Sequence, residues 1–235
     1  MDRLQTELQR LYFSQDAAAD AARAFTLEVT RPASWDVLKK VWQGVQADLD
    51  LPAPAIAVSG VDALQLWFSF AQAVPVVQAA AFLETLRRRY LGDVPPDRVR
   101  MHPWGALPHD AGQAAPPPTE LAPDRWSAFV APDLAALFVD EPWLDMPPGR
   151  DAQADLLSRI ACTKADDFLR ALERLRSADV PAPLQAGAAP GAQHADPRSF
   201  LLATMNDAAV DMRFRVEAAK ALLPYFENPE KKDQA

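Results

Sequence analysis

A single cysteine, Cys162, stands among 235 residues. The chain therefore cannot close an internal disulfide, and no cysteine pair stands at zinc-ligand spacing. A reducing compartment follows from that. Histidine is nearly as scarce, with only His102, His109 and His194 present. Also missing are the phosphate-cradling GxxxxGKS/T, the dinucleotide GxGxxG, and the HExxH, GxSxG and CxxC patterns, so the large enzyme classes that depend on them lose support. No stretch approaches eighteen consecutive apolar residues, and the opening MDRLQTELQRLYF has neither the cationic start nor the apolar run of a signal peptide. The expectation is a cytoplasmic protein with no membrane partner. Positive charge is in deficit too: Lys plus Arg is 24 against 32 for Asp plus Glu, a net charge of −8. Bulk charge therefore argues against coating nucleic acid or anionic membrane, although a local basic patch is compatible with it.

What is present is a core-forming composition. Hydrophobic residues make up 49% and charged residues 24%, which excludes wholesale disorder and fits one domain plus an appendage. Leu4, Leu8 and Leu11 recur at helical spacing and lead into DAAADAARA, so helix is expected over residues 2–24. FTLEVT, residues 25–30, reads as a strand closed by Arg31-Pro32. Ser34 is placed to cap a helix whose stripe is Trp35, Leu38, Trp42, Val45 and Leu49. LPAPAIAVSG then supplies a short strand, Ser59 to Ala63 a turn, and Leu64 to Phe70 a second strand, together a β-hairpin. Val76, Ala79, Leu83, Leu86 and Tyr90 share the face of another helix, and a strand is expected near Arg98 to His102.

More than half of the 22 prolines fall in residues 95–148, so this stretch is expected to be mainly loop, interrupted by a strand at Trp126 to Val130 and a brief helix begun by Pro132-Asp133. Helices are expected at 151–161 and 165–177, the second with Phe168, Leu172 and Leu175 inward. Small residues with Pro and Gly mark 178–195 as a flexible linker. Beyond it, Asp196-Pro197 and Asp211 open two helices, the second ending before Pro224, that form a helical hairpin over 196–226, followed by a charged tail at 227–235. The fold class is α+β: a mainly antiparallel sheet packed by helices over 1–177, then the hairpin. Such a hairpin is too small to be stable alone and should dock on the main body, a partner or a second copy of itself.

From Leu27 to Leu91 the order is a strand bearing an acid, an amphipathic helix, an apolar strand, a Ser-Gly turn, an apolar strand and a helix. This order, with Ser59-Gly60-Val61-Asp62-Ala63-Leu64-Gln65 in the hairpin, resembles the archaeo-eukaryotic primase superfamily. The resemblance implies a nucleotidyltransferase site in which a strand DxD holds divalent metal and a hairpin SGxxGxH contacts phosphates. The chain departs at each place. The DxD position reads Glu28-Val29-Thr30, leaving one acid on the face, because residues i and i+2 of a strand point the same way. Ala63 replaces the motif's glycine, Gln65 its histidine, and the later strand ends in His102 instead of an acid. The implied site is a degenerate cleft of Glu28, Thr30, Ser59, Gly60, Gln65 and His102, with no catalytic residue, metal or cofactor. The alternative is an α/β sandwich in which Ser59-Gly60 serves turn geometry.

A second feature is the arginine cluster Arg87, Arg88, Arg89, Arg98 and Arg100, a candidate nucleic-acid-binding surface with Tyr90 and Trp104 near in sequence for base stacking. Its bland alternative is helix-end charge pairing with Glu84, Asp93 and Asp97. The tail DPRSFLLATMNDAAVDMRFRVEAAKALLPYF resembles a helical segment of phage-related, small-terminase-like bacterial proteins, which implies packing or oligomerisation. Trp35, Trp42 and Trp67 read as core, whereas Trp104, Trp126 and Trp143 read as anchors for loops or a partner. Three functions fit these features. The first is a non-catalytic accessory protein of bacterial mobile-element or phage origin, binding single-stranded nucleic acid or a replication or packaging protein. The second is an acidic protein-interaction module, forming homo-oligomers through its hairpin. The third is a metal-dependent nucleotidyltransferase that recruits Asp36, Asp48, Asp50 or Asp62 beside Glu28.

Overall fold

Alternation along the strands gives the sheet two different faces. In the computed structural model, which describes residues 2–13, 20–104, 116–179, 197–207 and 210–227, helix α1 (Arg3–Tyr12) precedes strand β1 (Ala21–Thr30). Helix α2 (Trp35–Ala47), strands β2 (Ala55–Val58) and β3 (Ala63–Pro75), helix α3 (Val76–Tyr90) and strand β4 (Val99–Trp104) follow. A small hairpin, β5 (Glu120–Ala122) and β6 (Arg125–Trp126), leads into β7 (Ala128–Val130), then α4 (Arg150–Ser158) and α5 (Ala165–Asp179). The main sheet has the order β4-β1-β3-β2-β7 with every pairing antiparallel. The α+β class and the antiparallel sheet are therefore as the sequence indicated.

Phe25, Leu27 and Val29 of β1, Leu64, Leu66, Phe68 and Phe70 of β3, and Ile56 and Val58 of β2 point to one side, into a core shared with α2, α3 and α5. There Phe168 of α5 meets Phe70 and Phe82 edge-on, at centroid distances of 5.0 and 5.3 Å. On the opposite face α1 and α4 pack over one part, where Tyr12, Trp67 and Phe129 come together with Ala24, Ala55 and Ala57. Alanine on β1 and β2 keeps this face low enough for the helices to approach. Burying a side chain of Leu or Phe size contributes about 1.5–3 kcal/mol, so this two-sided burial dominates the fold.

Several expected elements have different limits. Residues 21–24, read as helix, extend β1, because Ala22 and Ala24 pair with Val74 and Ser69 of β3 and alanine accommodates either conformation. β3 continues past Phe70 to Pro75, where its last turn passes directly into α3. Ser34 occupies the N-cap position of α2 without a side-chain capping bond. The brief helix after Pro132 is a single 3-10 turn, Ala135–Phe138, and α4 stops at Ser158. The linker at 178–195 and the tail at 227–235 fall almost wholly outside the described residues.

The chain divides into two units, Met1–Pro181 and Ala182–Ala235. The second contains α6 (Pro197–Asn206) and α7 (Met212–Glu227), with Asp211 capping α7 through Oδ1, which accepts the Arg213 N–H at 2.9 Å. α7 runs through Pro224 instead of ending before it. So close to the helix end, proline's missing N–H removes only one of the last bonds.

The edge strand β7 is closed by a side chain. Gln153 of α4 accepts the Phe129 N–H at 2.8 Å and donates to the Phe129 carbonyl at 2.9 Å. Gln153→Ala leaves both buried groups unpaired and should lower stability by about 1–3 kcal/mol, measured by urea unfolding. An unchanged midpoint would contradict this role.

Candidate functional site

Glu28, Gln65 and His102, expected from the sequence in a degenerate cleft, lie on the sheet face opposite the main core, beside the part packed by α1 and α4 and towards β4. Register fixes their layout. Glu28 of β1 stands opposite Gln65 of β3 on one side and Arg100 of β4 on the other. The next row places Thr26 between Trp67 and His102. These residues alternate with Leu27, Val29, Leu66, Val99 and Met101, which face the other core, so the polar side chains share one face.

A chain of hydrogen bonds joins this row to the aromatic core. Trp67 Nε1 donates to Gln65 Oε1 at 2.9 Å, and Gln65 Nε2 donates to Glu28 Oε1 at 2.8 Å. Glu28 is only 8% exposed. Burial pushes its carboxyl up to about 7 and Asp62 pushes the same way, against the opposing pull of Arg100 and Gln65. Arg100 reaches across to Asp62, whose two oxygens accept from Nη1 and Nη2 at 3.3 and 2.9 Å. His102 is driven below its ordinary value by burial and by Arg100. Thr30 Oγ1 donates to the Arg98 carbonyl, tying β1 to the start of β4.

Ser59 and Gly60 are committed to the turn. Ser59 Oγ accepts the N–H groups of Val61, Asp62 and Ala63 at 3.1, 3.0 and 2.9 Å. Gly60 has φ +83° and donates its N–H to the Pro142 carbonyl at 2.9 Å. A Cβ there would meet the Ser127 nitrogen at 2.9 Å. Their visible role is the turn geometry of the sandwich alternative, and it also holds Asp62 beside Arg100.

The residues present do not fit a paired-metal centre. Glu28 is flanked in its row by an amide and a guanidinium, and the nearest further acid, Asp62, is engaged by Arg100. Among the described residues no three His, Cys, Asp or Glu side chains converge to hold a metal ion. Of the acids considered as substitutes, Asp62 comes near Glu28, while Asp48 accepts from Arg89 and Tyr90 beside α3, the helix on the other face.

The arginine cluster divides in two. Arg98 and Arg100 belong to the site. Arg87, Arg88 and Arg89 end α3, where Glu84 accepts from Arg87 and Arg88 at 2.7 to 2.9 Å and Asp48 from Arg89 at 3.1 Å. Arg87 and Arg88 together hold the Glu84 carboxyl down to about 2. The pairing partners are thus Glu84 and Asp48, with Asp62 for Arg100, and neither Asp93 nor Asp97. Among the described residues Arg98 bonds uncharged groups, the carbonyls of Pro32 at 2.6 Å and Thr30 at 3.4 Å, and its buried Nε has no partner there.

Sequence reasoning missed Arg31 and Arg125, which lie with Trp143 at this end of the sheet. Their guanidinium carbons stand 5.2 and 4.3 Å from the Trp143 ring centroid. Trp143 reads from sequence as an anchor, but the contact joins residues too far apart in sequence to leave a local signal.

No protein-family model matches the chain, and a search of curated proteins finds no relative. Among the described residues, no helix is long and apolar enough to cross a membrane.

A carboxyl whose folded value, about 7, exceeds its unfolded value, 4.5, destabilises the fold when ionised. That penalty is absent below the unfolded value and complete above the folded one. Glu28→Gln should therefore raise the melting temperature at pH 8, with the gain shrinking towards pH 4.5. Equal effects across that range, measured by thermal denaturation, would refute it. Gly60→Ala should cost about 1–2 kcal/mol for the left-handed backbone alone, measured by chemical unfolding. A neutral effect would refute that strain.

Proposed function

We propose that this chain is a non-catalytic accessory protein that binds single-stranded nucleic acid beside the Glu28 row of the sheet, in keeping with its resemblance to a primase domain stripped of its metal-binding acids. The observation that carries this reading is the row Arg100, Glu28 and Gln65 across β4, β1 and β3. It places a guanidinium and an amide where a nucleotidyltransferase needs two free carboxylates, and its one central acid is buried and readily neutralised. Arginine suits phosphate contact, and an imidazole at His102 supplies a flat ring for a base. The resemblance of the tail to phage-related, small-terminase-like proteins supports an accessory role beside replication or packaging machinery.

A second reading, a protein-interaction module, is favoured by a separate observation. Met212, Phe214 and Val216 of α7 are 45 to 66% exposed, and most of the arginines flagged from sequence already have acid partners.

Fluorescence anisotropy of a labelled oligo-dT at low and physiological salt separates these readings. Binding that weakens with salt is expected. Absence of binding at low salt would favour the interaction module. Nucleotide incorporation with Mg2+ or Mn2+ that is lost in Glu28→Gln would overturn the non-catalytic assignment.

A further inference from the structure

The net charge of −8 requires any nucleic-acid surface to be local, so the decisive question is which cations are free to meet phosphate. At the α3 end they are taken up by Glu84 and Asp48. Arg31 and Arg125 differ: both are exposed, and neither has an ion-pair partner among the described residues.

Each is instead held against Trp143. The indole attracts a guanidinium through its ring electrons and leaves the N–H groups at the cation's edge available. The ring is itself firmly placed. The Trp143 N–H donates to the Glu141 carbonyl at 2.8 Å, Nε1 donates to Asp145 Oδ1 at 3.1 Å, Pro142 accepts from Gly60, and Leu144 pairs with Trp126. Arg31 follows the last residue of β1. Arg125 is delivered by the β5–β6 turn, where Pro123 precedes Asp124 at φ 57°, the sequence and conformation of a tight turn with a left-handed third position.

The two guanidinium carbons are separated by at most the sum of their distances to one centroid, about 9.5 Å. That bound is close to the Debye length at physiological salt, about 8 Å, so their repulsion is reduced by salt but not abolished. Two like charges gathered on one ring without a carboxylate between them form an arrangement that an anion stabilises. Arg98, whose bonds among the described residues are to carbonyls, lies at the same end of the sheet. Of the acids near in sequence or space, Asp62 is engaged with Arg100 and Asp145 with the indole N–H, and neither Asp124 nor Glu141 forms an ion pair with either arginine.

We infer that Arg31 and Arg125, stacked on Trp143, are the phosphate-contacting residues through which the chain holds single-stranded nucleic acid. This rests on the function proposed above and specifies it: the strand crosses the end of the sheet where β1 and the β2–β3 turn meet Trp143, and not the arginine-rich end of α3. The guanidinium faces turned away from the indole offer further stacking for unpaired bases.

The test is anisotropy of labelled oligo-dT with the full chain, its Arg31→Gln/Arg125→Gln variant and an Arg87→Gln/Arg88→Gln variant, with unlabelled duplex as competitor and circular dichroism to confirm folding. The inference predicts affinity lowered about tenfold or more in the first variant, with a salt slope smaller by about two, and near-parental binding in the second. The duplex should compete poorly. Should the double variant misfold, Arg125→Gln alone, at an exposed hairpin, should still lower the slope by about one. A folded Arg31/Arg125 variant that binds as the parent does overturns this inference and leaves the functional proposal standing. A parent chain that binds no oligonucleotide overturns both.

Discussion

Burial of β3 on both faces is the constraint around which the molecule is arranged. Its first eight residues are all buried, and the two faces set opposite requirements. Leu64, Leu66, Phe68 and Phe70 face a purely apolar core. Gln65, Trp67 and Ser69 face the other way, and a buried amide or indole N–H left unpaired would cost more than its burial returns. The indole donates to the Gln65 oxygen, which leaves the Gln65 NH2 facing Glu28. Core packing around Tyr12, Trp67 and Phe129 therefore reaches, through one amide, to the carboxyl at the centre of the candidate site.

That linkage explains why the site is electrostatically mild. A carboxylate supplied with one amide and a neighbouring guanidinium, but largely withdrawn from water, titrates near neutrality. It leaves a surface whose charge is set mainly by arginine at the sheet end. Elsewhere the protein neutralises its arginines locally, with Glu84 serving two of them and Asp48 a third. An acidic protein with a few arginines outside such pairs can be selective where one with bulk positive charge would bind any polyanion.

The sequence carried the fold well where apolar periodicity was unambiguous. The stripe from Trp35 and the run Leu64 to Phe70 each became the element their spacing implied, because large apolar residues fit only one period. Alanine defeated the reading at residues 21–24, since its small side chain is compatible with helix and strand and only pairing with β3 decides between them. Legibility of the site was uneven for a related reason. Glu28 and Gln65 are cross-strand partners in a hairpin-containing segment whose register could be approximated from turn positions. Arg31, Arg125 and Trp143 come from three separate segments and meet only through tertiary packing. Arg87 to Arg89 stood out because they are consecutive, yet consecutive charges on a helix end most readily find acids one turn away.

The central claim is that one end of the sheet, and not the α3 end or α7, receives single-stranded nucleic acid. Hydrogen–deuterium exchange of the full chain with and without oligo-dT tests it most directly. The account predicts added protection at residues 28–32, 98–102, 124–126 and 142–144, with 84–90 and 212–216 unchanged. Protection confined to the end of α3 or to α7, or none with oligonucleotide in excess, would contradict it.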